Sequence, residues 1–397
     1  MDTKEYFLNL LDEHVEDSRI RFRIGDQERI VGKRRDGTEN STEITIRIHN
    51  SAFFDRVLGA GNLGMGESYM LGEFEIESGS LQEFLIILLR NRLDHKIRAR
   101  PREALRILKI RFANWWQGKT KCVRRHYDIG DELFETFLDS TLTYSCGYAC
   151  DASDSIEQMQ RNKLDRICRK LELKEGQHLL DIGCGYGGLL IHAARHFGVH
   201  GTGITIGRKH FERGQTMVAE QGLTDRVNIK LLDFTKISGR YDRVVSVGML
   251  EHVPRAEYGR YFRKISGVLT RQGKGLIHAI GANAPRNKHD PFIQKYIFPH
   301  ANQPKLSEIT MHLEKTGLAI LDVENMIRHY GYTTRRWLEG FRQNHFRLDS
   351  SKYDRTFIKM WEYFLCCGIA ASFASDGALY QVLFSKDYAA EMPLLRV

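Results

Sequence analysis

One octapeptide constrains the fold of this chain more than any other feature: Asp181-Ile182-Gly183-Cys184-Gly185-Tyr186-Gly187-Gly188, which follows an apolar stretch and opens a helical one. Glycines in such a turn let the backbone reverse sharply and approach a ligand closely, at the positive end of the helix that follows. The segment therefore demands a strand before it and a helix after it. The surrounding sequence repeats that alternation. Apolar, β-branched runs at 178–182, 199–206, 227–232, 241–247 and 275–280 are strand candidates, and 187–196 and 258–269 are the clearest helical stretches between them. Strands alternating with helices predict an α/β architecture, a mostly parallel sheet with helices on both faces. Two later strands, 318–324 and 379–386, bring the sheet to seven. Long helical insertions at 282–315 and 328–376 are left over, and insertions of that size tend to cover an active site.

The first 118 residues read differently, as a small α+β unit. An amphipathic helix opens it, with Phe7, Leu10, Leu11 and Val15 turned inward, and 19–24 and 43–49 alternate as strands do. A polar turn, Gly32-Lys33-Arg34-Arg35-Asp36-Gly37, separates them. The glycine-rich stretch 59–72 predicts tight backbone turns. The expected division is 1–118 and 119–397.

Charge is concentrated in one place. Thirteen Lys and Arg against two acids fall between Arg90 and Arg125, while the whole chain carries only +9. Leu105, Leu108, Phe112 and Trp115 recur there at helical spacing, with Trp116 beside them and Arg102, Arg106 and Lys109 between. A basic amphipathic helix bearing tryptophan suits the surface of an anionic bilayer; packing against a core is the ordinary alternative. No nucleic-acid reading motif accompanies the patch, so nucleic acid is not an expected partner. The longest uninterrupted apolar runs, such as 84–89, are far shorter than the ~20 residues of a membrane-spanning helix. No signal-peptide core follows the N-terminal Asp2, Lys4 and Glu5, and seven scattered cysteines do not form a disulfide framework, which predicts a cytoplasmic protein. Cys146 and Cys150 are four apart, but no second Cys/His pair sits at zinc spacing, so no metal is expected.

A glycine loop of this kind is read first as a dinucleotide site. Two features oppose NAD. Asp181 stands just ahead of the glycine pair, two residues before Gly183, where it favours an amine-bearing ligand over a pyrophosphate. The acid expected about 20 residues later for the ribose hydroxyls is absent, because the second strand ends in Gly203-Ile204-Thr205-Ile206. Asp233, at the end of the third strand, is placed to bond an adenine amino group. S-adenosylmethionine (SAM) fits these residues better than NAD.

Several further motifs carry a resemblance. They are His126-Tyr127-Asp128-Ile129-Gly130-Asp131-Glu132-Leu133-Phe134, Leu142-Thr143-Tyr144-Ser145-Cys146-Gly147-Tyr148, and Val245-Ser246-Val247-Gly248-Met249-Leu250-Glu251-His252-Val253. His278-Ala279-Ile280-Gly281, Lys295-Tyr296-Ile297-Phe298-Pro299 and, in the front part, Phe53-Phe54-Asp55-Arg56-Val57-Leu58 and Leu63-Gly64-Met65-Gly66-Glu67-Ser68-Tyr69-Met70 extend it. Together with the Asp181 loop, they make the chain resemble the cyclopropane-fatty-acyl-phospholipid synthase family along most of its length. The resemblance implies a class I SAM-dependent methyltransferase fold, Rossmann-like, behind a lipid-binding front domain. It implies transfer of a methylene from SAM to the cis double bond of an unsaturated phospholipid, with bound bicarbonate as base. It further suggests a peripheral association with the inner face of the membrane, anionic phospholipid as partner, and self-association as a homodimer. Its bicarbonate cage falls on Cys146, Glu251, His278, the backbone at Ile280, and Tyr330; its SAM contacts fall on Tyr144, Ser145, Gly183, Gly185, Thr205 and Asp233. Methyl branching of the acyl chain and small-molecule N-methylation are the alternatives, and the front domain is the feature expected to exclude the latter.

Such chemistry calls for a sealed base. An alkene is a weak nucleophile and must be held in line with the sulfonium methyl. Attack leaves a cation, and a proton must leave the new methyl before a ring can close, so a small anion in a dry pocket serves better than a water-exposed base. Taken singly, each cage residue has a plainer explanation: Cys146 as a small buried hydrophobe, His278 as a core histidine, Glu251 as a helix-start acid. Their joint occurrence in order is what points to a site. Four positions depart from the family pattern. Gly207 and His210 replace a common Ser and Gln, Tyr186 replaces a common Trp, and Ala149 replaces an aromatic.

Overall fold

Ile20 and Phe22 alternate with Arg19, Arg21 and Arg23 along the strand Ser18–Ile24 (β1), and the two apolar side chains are fully buried. That period of two puts one face of a sheet against a core and the other in water. The computed structural model describes residues 2–33, 42–93, 96, 107, 109, 129–284, 290–299 and 301–390. Nearly all of the basic amphipathic segment, the tip of the Gly32–Gly37 turn and the start of the His126 motif therefore lie outside the described residues.

Two compact units are present. The first comprises Met1–Thr136, Lys288–Pro299 and Leu338–Ser375; the second comprises Phe137–Asn287, His300–Trp337 and Asp376–Val397. This differs from a single division at 118/119, because pieces of both long insertions pack with the front of the chain.

In the first unit, β1 pairs with Gln27–Val31 (β2) as an antiparallel hairpin and with Thr42–Ile48 (β3) in parallel, and β3 pairs antiparallel with Phe74–Ser78 (β4). The helix Thr3–His14, capped by the Asp2 carboxylate accepting from Lys4 N–H, covers the buried face. Phe7, Phe22, Phe53, Phe54 and Phe74 meet there edge to face, with centroids 5.2–6.0 Å apart in successive pairs. The open face carries Arg21, Arg23 and Arg47 paired with Glu28, Glu43 and Glu77. The stretch 59–72 turns at only two of its glycines, Gly61 and Gly72, with φ of 59° and 71°. Its other glycines belong to two nine-residue helices, Ala52–Ala60 and Asn62–Met70, joined at Gly61. Gly64 and Gly66 are helical and serve close packing instead: a Cβ on Gly66 would lie 2.4 Å from the Phe292 ring. The 20-residue helix Arg355–Ala374 is long and apolar enough to cross a membrane, although Lys359 and Glu362 interrupt it. Phe357, Trp361, Tyr363, Leu365 and Ile369 are buried, and it packs on Leu81–Arg90 and Asn62–Met70 as the unit's core helix.

The second unit is the predicted seven-stranded sheet. His178–Ile182 (β5), His200–Thr205 (β6), Val227–Leu231 (β7), Tyr241–Val247 (β8), Leu269–Ala282 (β9), Ala319–Asn325 (β10) and Gly377–Ser385 (β11) lie in the order β10-β11-β9-β8-β5-β6-β7. Only the contacts of β11, with β9 and β10, are antiparallel. Adjacent residues feed opposite cores. Leu180, Val244, Ile277 and Val382 pack with the helices Tyr258–Val268 and Leu306–Lys315, whereas Leu179, Val245, Leu276 and Leu383 pack with Ile156–Lys170 and Gly188–Phe197. The chain leaves β5 for β6 on one side and returns to β8 on the other. That reversal is where open α/β sheets bind ligands, at the carboxyl ends of the strands.

Candidate active site

The glycine loop lies at that reversal. Gly183 and Gly185 have φ of 86° and 54°, which L-residues avoid, and Gly183 N–H donates to the Ile204 carbonyl at 3.0 Å, fixing the loop to β6. Asp181, one residue inside β5, is buried, and its Oδ1 has no partner among the described residues. Burial pushes its carboxyl up to about 7, against the pull of Lys163. Thr205 ends β6, its hydroxyl accepting from Gly207 N–H at 3.2 Å. Asp233 follows β7, is exposed, and accepts from Thr235 N–H at 2.8 Å through Oδ1. Parallel registers Ile182↔Ile204 and Thr205↔Leu231 put the ends of these three strands side by side. Tyr186 and His210, both departures from the family pattern, touch edge to face at 4.7 Å.

Tyr144 and Ser145 lie in an irregular segment and owe their positions to two residues that sequence reasoning missed. Gln160 Nε2 donates to the Thr143 and Ser145 carbonyls at 3.2 and 2.8 Å, and Lys163 Nζ donates to Ser145 Oγ at 2.9 Å. A signal existed. Both polar residues fall on the helix face that carries Met159, Leu164 and Ile167, where only a buried purpose would keep them. Burial lowers the Lys163 ammonium to about 8, opposed by Asp139, Cys146 and Asp181. Tyr144 stacks on Trp337 at 5.1 Å, and Phe137 and Tyr330 meet the same indole edge to face. Trp337 thus centres an aromatic wall that was also not anticipated.

Four of the five residues expected to form the cage are brought together, and the fifth, His278, stands on the adjoining strand face. Cys146, Ile280 and Tyr330 share one small cluster with Met326 and Leu379. Glu251, in a short turn after β8, joins it by accepting the Ile280 N–H at 2.6 Å through Oε1. Its main-chain carbonyl in turn accepts from Asn302 N–H at 2.6 Å. His278 lies two residues before Ile280 on β9 and so on the same face. Glu251 Oε2 and His278 Nε2 are both buried, with no partner among the described residues. Burial drives the two groups toward neutrality: the Glu251 carboxyl goes up to about 7 and the His278 imidazole down to about 3, the latter aided by Lys163 and Lys170. The Tyr330 phenol is raised by burial and by the neighbouring Cys146 and Glu251. Burial lifts the Cys146 thiol to about 12, so it is a thiol donating to the Gly147 carbonyl at 3.0 Å and not a nucleophilic thiolate.

The family model for mycolic acid cyclopropane synthetase matches residues 116–381. The cyclopropane-fatty-acyl-phospholipid synthase of Escherichia coli (strain K12) is 36% identical over 348 residues, covering 87% of this chain and 89% of that protein. A tuberculostearic acid methyltransferase of Mycobacterium tuberculosis is 34% identical over 339 residues, 81% of this chain and 78% of its own length. Among solved structures, a cyclopropane synthase from Mycobacterium tuberculosis matches with a TM-score of 0.62 at 24% identity, over 66% of this chain and 95% of that one. Coclaurine N-methyltransferase bound to N-methylheliamine and SAH matches with a TM-score of 0.62 at 20% identity, over 82% of this chain and 98% of that one. At such identities these structures speak to the fold alone.

Proposed function

The chain belongs to the mycolic acid cyclopropane synthetase family, and from that premise we propose that it transfers a methylene from SAM to the cis double bond of an unsaturated phospholipid acyl chain. The products are a cyclopropane fatty acyl chain and S-adenosylhomocysteine. One observation carries the reading. Two buried side-chain atoms have no partner among the described residues: Glu251 Oε2, whose carboxylate is bonded to Ile280 of the cluster holding Cys146 and Tyr330, and His278 Nε2, two residues before Ile280 on the same face of β9. Buried polar atoms are normally satisfied, so an unpaired acceptor and an unpaired ring nitrogen together favour a small ligand with both donor and acceptor oxygens. Bicarbonate has that character.

SAM supplies the electrophilic sulfonium methyl. The backbone at Gly183 and Gly185 would approach its methionyl part closely, Asp181 would take its ammonium, and Tyr144 and Ser145 would close over it. Thr205 and Asp233, at the ends of β6 and β7, would hold its ribose and adenine. The alkene carbon bonds to the methyl carbon as the carbon–sulfur bond breaks, which leaves a cation on the acyl chain. A proton then leaves the new methyl group and its C–H pair closes the ring. Bicarbonate held at the cage would supply the base for that proton. Glu251 and His278 would orient it from opposite hydrogen-bonding roles and Tyr330 would add a hydroxyl, while the Ile280 N–H holds the Glu251 carboxylate in place. The aromatic wall of Phe137, Tyr144, Trp337 and Tyr330 keeps water from the cation and offers it π faces.

The basic segment between Arg90 and Arg125 supports docking on anionic phospholipid, each Lys or Arg near such a surface contributing ~1 kcal/mol. Sedimentation with vesicles containing phosphatidylglycerol, compared with phosphatidylcholine alone, tests that part. The reaction itself is tested in cells expressing the chain and fed methyl-deuterated methionine. Fatty acid esters that gain one methylene, keep two of the three labels and resist hydrogenation establish a ring. Three retained labels would mean a methyl branch and would refute the base assignment. Unchanged lipids would redirect the search to small amines.

A further inference from the structure

His278 has two ring nitrogens, and only Nε2 is without a partner among the described residues. Nδ1 faces the side-chain amide of Gln381 at 3.2 Å. The two residues are direct cross-strand partners on β9 and β11, so the contact is built into the sheet register and does not depend on a flexible loop. Gln381 is itself fully buried. Which end of its amide meets the imidazole is settled by a third residue. Lys170 Nζ, the last residue of the helix Ile156–Lys170, lies 2.9 Å from Gln381 Oε1. An ammonium has only donors, so the amide oxygen must face Lys170 and the NH2 must face His278. Lys170 has no freedom to turn away. It is buried and bonded to Glu324 at 2.6 Å, with Asp322 at 3.6 Å, and Glu324 is held from its other side by Arg166 at 2.9 Å.

An amide NH2 pointing at Nδ1 requires a lone pair there. Protonation at Nδ1 would set two N–H groups against each other, which excludes both the Nδ1–H tautomer and the imidazolium. We propose that Gln381 is a positioning residue which, oriented by Lys170, locks His278 as the neutral Nε2–H tautomer and so turns an N–H donor toward the anion cage. The depressed basicity of His278, caused by burial and then by Lys163 and Lys170, agrees with a ring that stays neutral. The donor set of the cage then becomes complementary to bicarbonate: His278 gives a hydrogen bond to an anionic oxygen, and Glu251 accepts one from the hydroxyl. Neither Lys170 nor Gln381 touches the reacting atoms. Both act through His278.

The proposal rests on the bicarbonate reading for its function but not for its geometry, and the test separates the two. The full chain is labelled with 15N-histidine, and a His278→Asn variant identifies the resonances of His278 among the 16 histidines. The expected spectrum shows a single Nε2–H tautomer from pH 6 to 8. Gln381→Met, close in size and unable to bond the ring, should release the lock and give mixed tautomers. Gln381→Glu, which can only accept, should move the proton of the neutral ring to Nδ1. In Gln381→Met turnover should fall about 10–100-fold, the usual cost of losing an orienting partner. The KM for SAM should stay within about twofold, and added bicarbonate should recover part of the rate, which a merely structural defect would not allow. A wild-type His278 found as Nδ1–H or imidazolium overturns the proposal. A tautomer that is locked in the wild type and released in Gln381→Met, with turnover unchanged, upholds the lock and overturns the assignment of His278 to the anion cage.

Discussion

The Ile280 amide donates to Glu251 Oε1 at 2.6 Å, and the other oxygen of the same carboxylate, Oε2, is buried without a partner among the described residues. One bond thus fixes a side chain from a turn after β8 against the neighbouring strand β9, and leaves its second oxygen free for the proposed anion. Glu251→Gln keeps an acceptor for Ile280 but replaces the unpaired oxygen by an NH2, which repels the hydroxyl of bicarbonate. Methylene transfer should fall by roughly 10²–10⁴-fold. SAM affinity, which the proposed site places at the ends of β5, β6 and β7, should change less than about twofold. Steady-state turnover with labelled SAM, beside titration calorimetry of SAM, separates the two. Retained turnover would remove Glu251 from the chemistry.

Stability of the unliganded protein should depend on pH near neutrality, through Asp181 and Glu251. Burial raises both carboxyls to about 7, above the 3.8 and 4.5 of free side chains, so the folded state holds protons that the unfolded chain has released. Their contribution is complete below the unfolded values and is lost as pH rises through about 7. His278, whose folded value is depressed, works in the opposite sense but only below about 6.5. Between pH 6.5 and 8 the carboxyls therefore dominate, and each should cost about 1 kcal/mol of unfolding free energy. Urea melts at the two pH values measure it. The loss should shrink in Asp181→Asn and again in the double variant with Glu251→Gln; a flat wild-type profile would contradict the burial of these groups.

The seven-stranded sheet was legible because its strands are continuous apolar runs bounded by glycine and charge: β5 and β8 fall at the expected residues, and β6 and β7 within one. The glycine-rich stretch 59–72 was not, because composition does not distinguish a glycine needed for φ from one needed for closeness. Gly61 is the first kind and Gly66 the second. Gly66 is answered by Phe292 and Tyr363, more than 200 positions away in the chain. The same remoteness hid the partners of the site. Glu251 and His278 lie inside recognisable motifs, whereas Gln381 and Lys170 matter only because β11 pairs with β9 and one helix ends above them. Gln160 and Lys163 were visible as polar residues on an apolar helix face, but their purpose needed the segment 143–145 to be placed beside them.

Cysteine chemistry should divide sharply between two neighbours. Cys146 is buried, with its thiol raised to about 12, while Cys150, four residues on, is exposed. In the native protein iodoacetamide should modify Cys150 and leave Cys146 untouched at pH 8, with both reacting in urea; peptide mass spectrometry reads the difference. Cys146→Ser conserves the small donor to Gly147, so it should keep turnover within about tenfold. A larger loss, or rapid alkylation of native Cys146, would mean that a thiolate takes part in the chemistry.

Gly66→Ala tests the packing of the first unit without touching the proposed cage. The added Cβ would lie 2.4 Å from two carbons of the Phe292 ring and 2.8 Å from Tyr363. Neither ring can yield easily. Phe292 is fully buried and meets Tyr363 edge to face at 4.7 Å, while the Tyr363 hydroxyl is bonded to Asn62 Oδ1 at 2.6 Å. Any shift would therefore break a hydrogen bond or open a gap, and overpacking of this kind costs ~1–3 kcal/mol. Helix propensity alone would predict the reverse, since alanine is favoured over glycine within a helix by about 1 kcal/mol. The sign of the change thus decides between local and tertiary control at this position. Thermal melts should show Gly66→Ala destabilised, with SAM affinity unchanged. A stabilised variant would mean that Asn62–Met70 does not pack against Phe292 and Tyr363 as closely as these distances require.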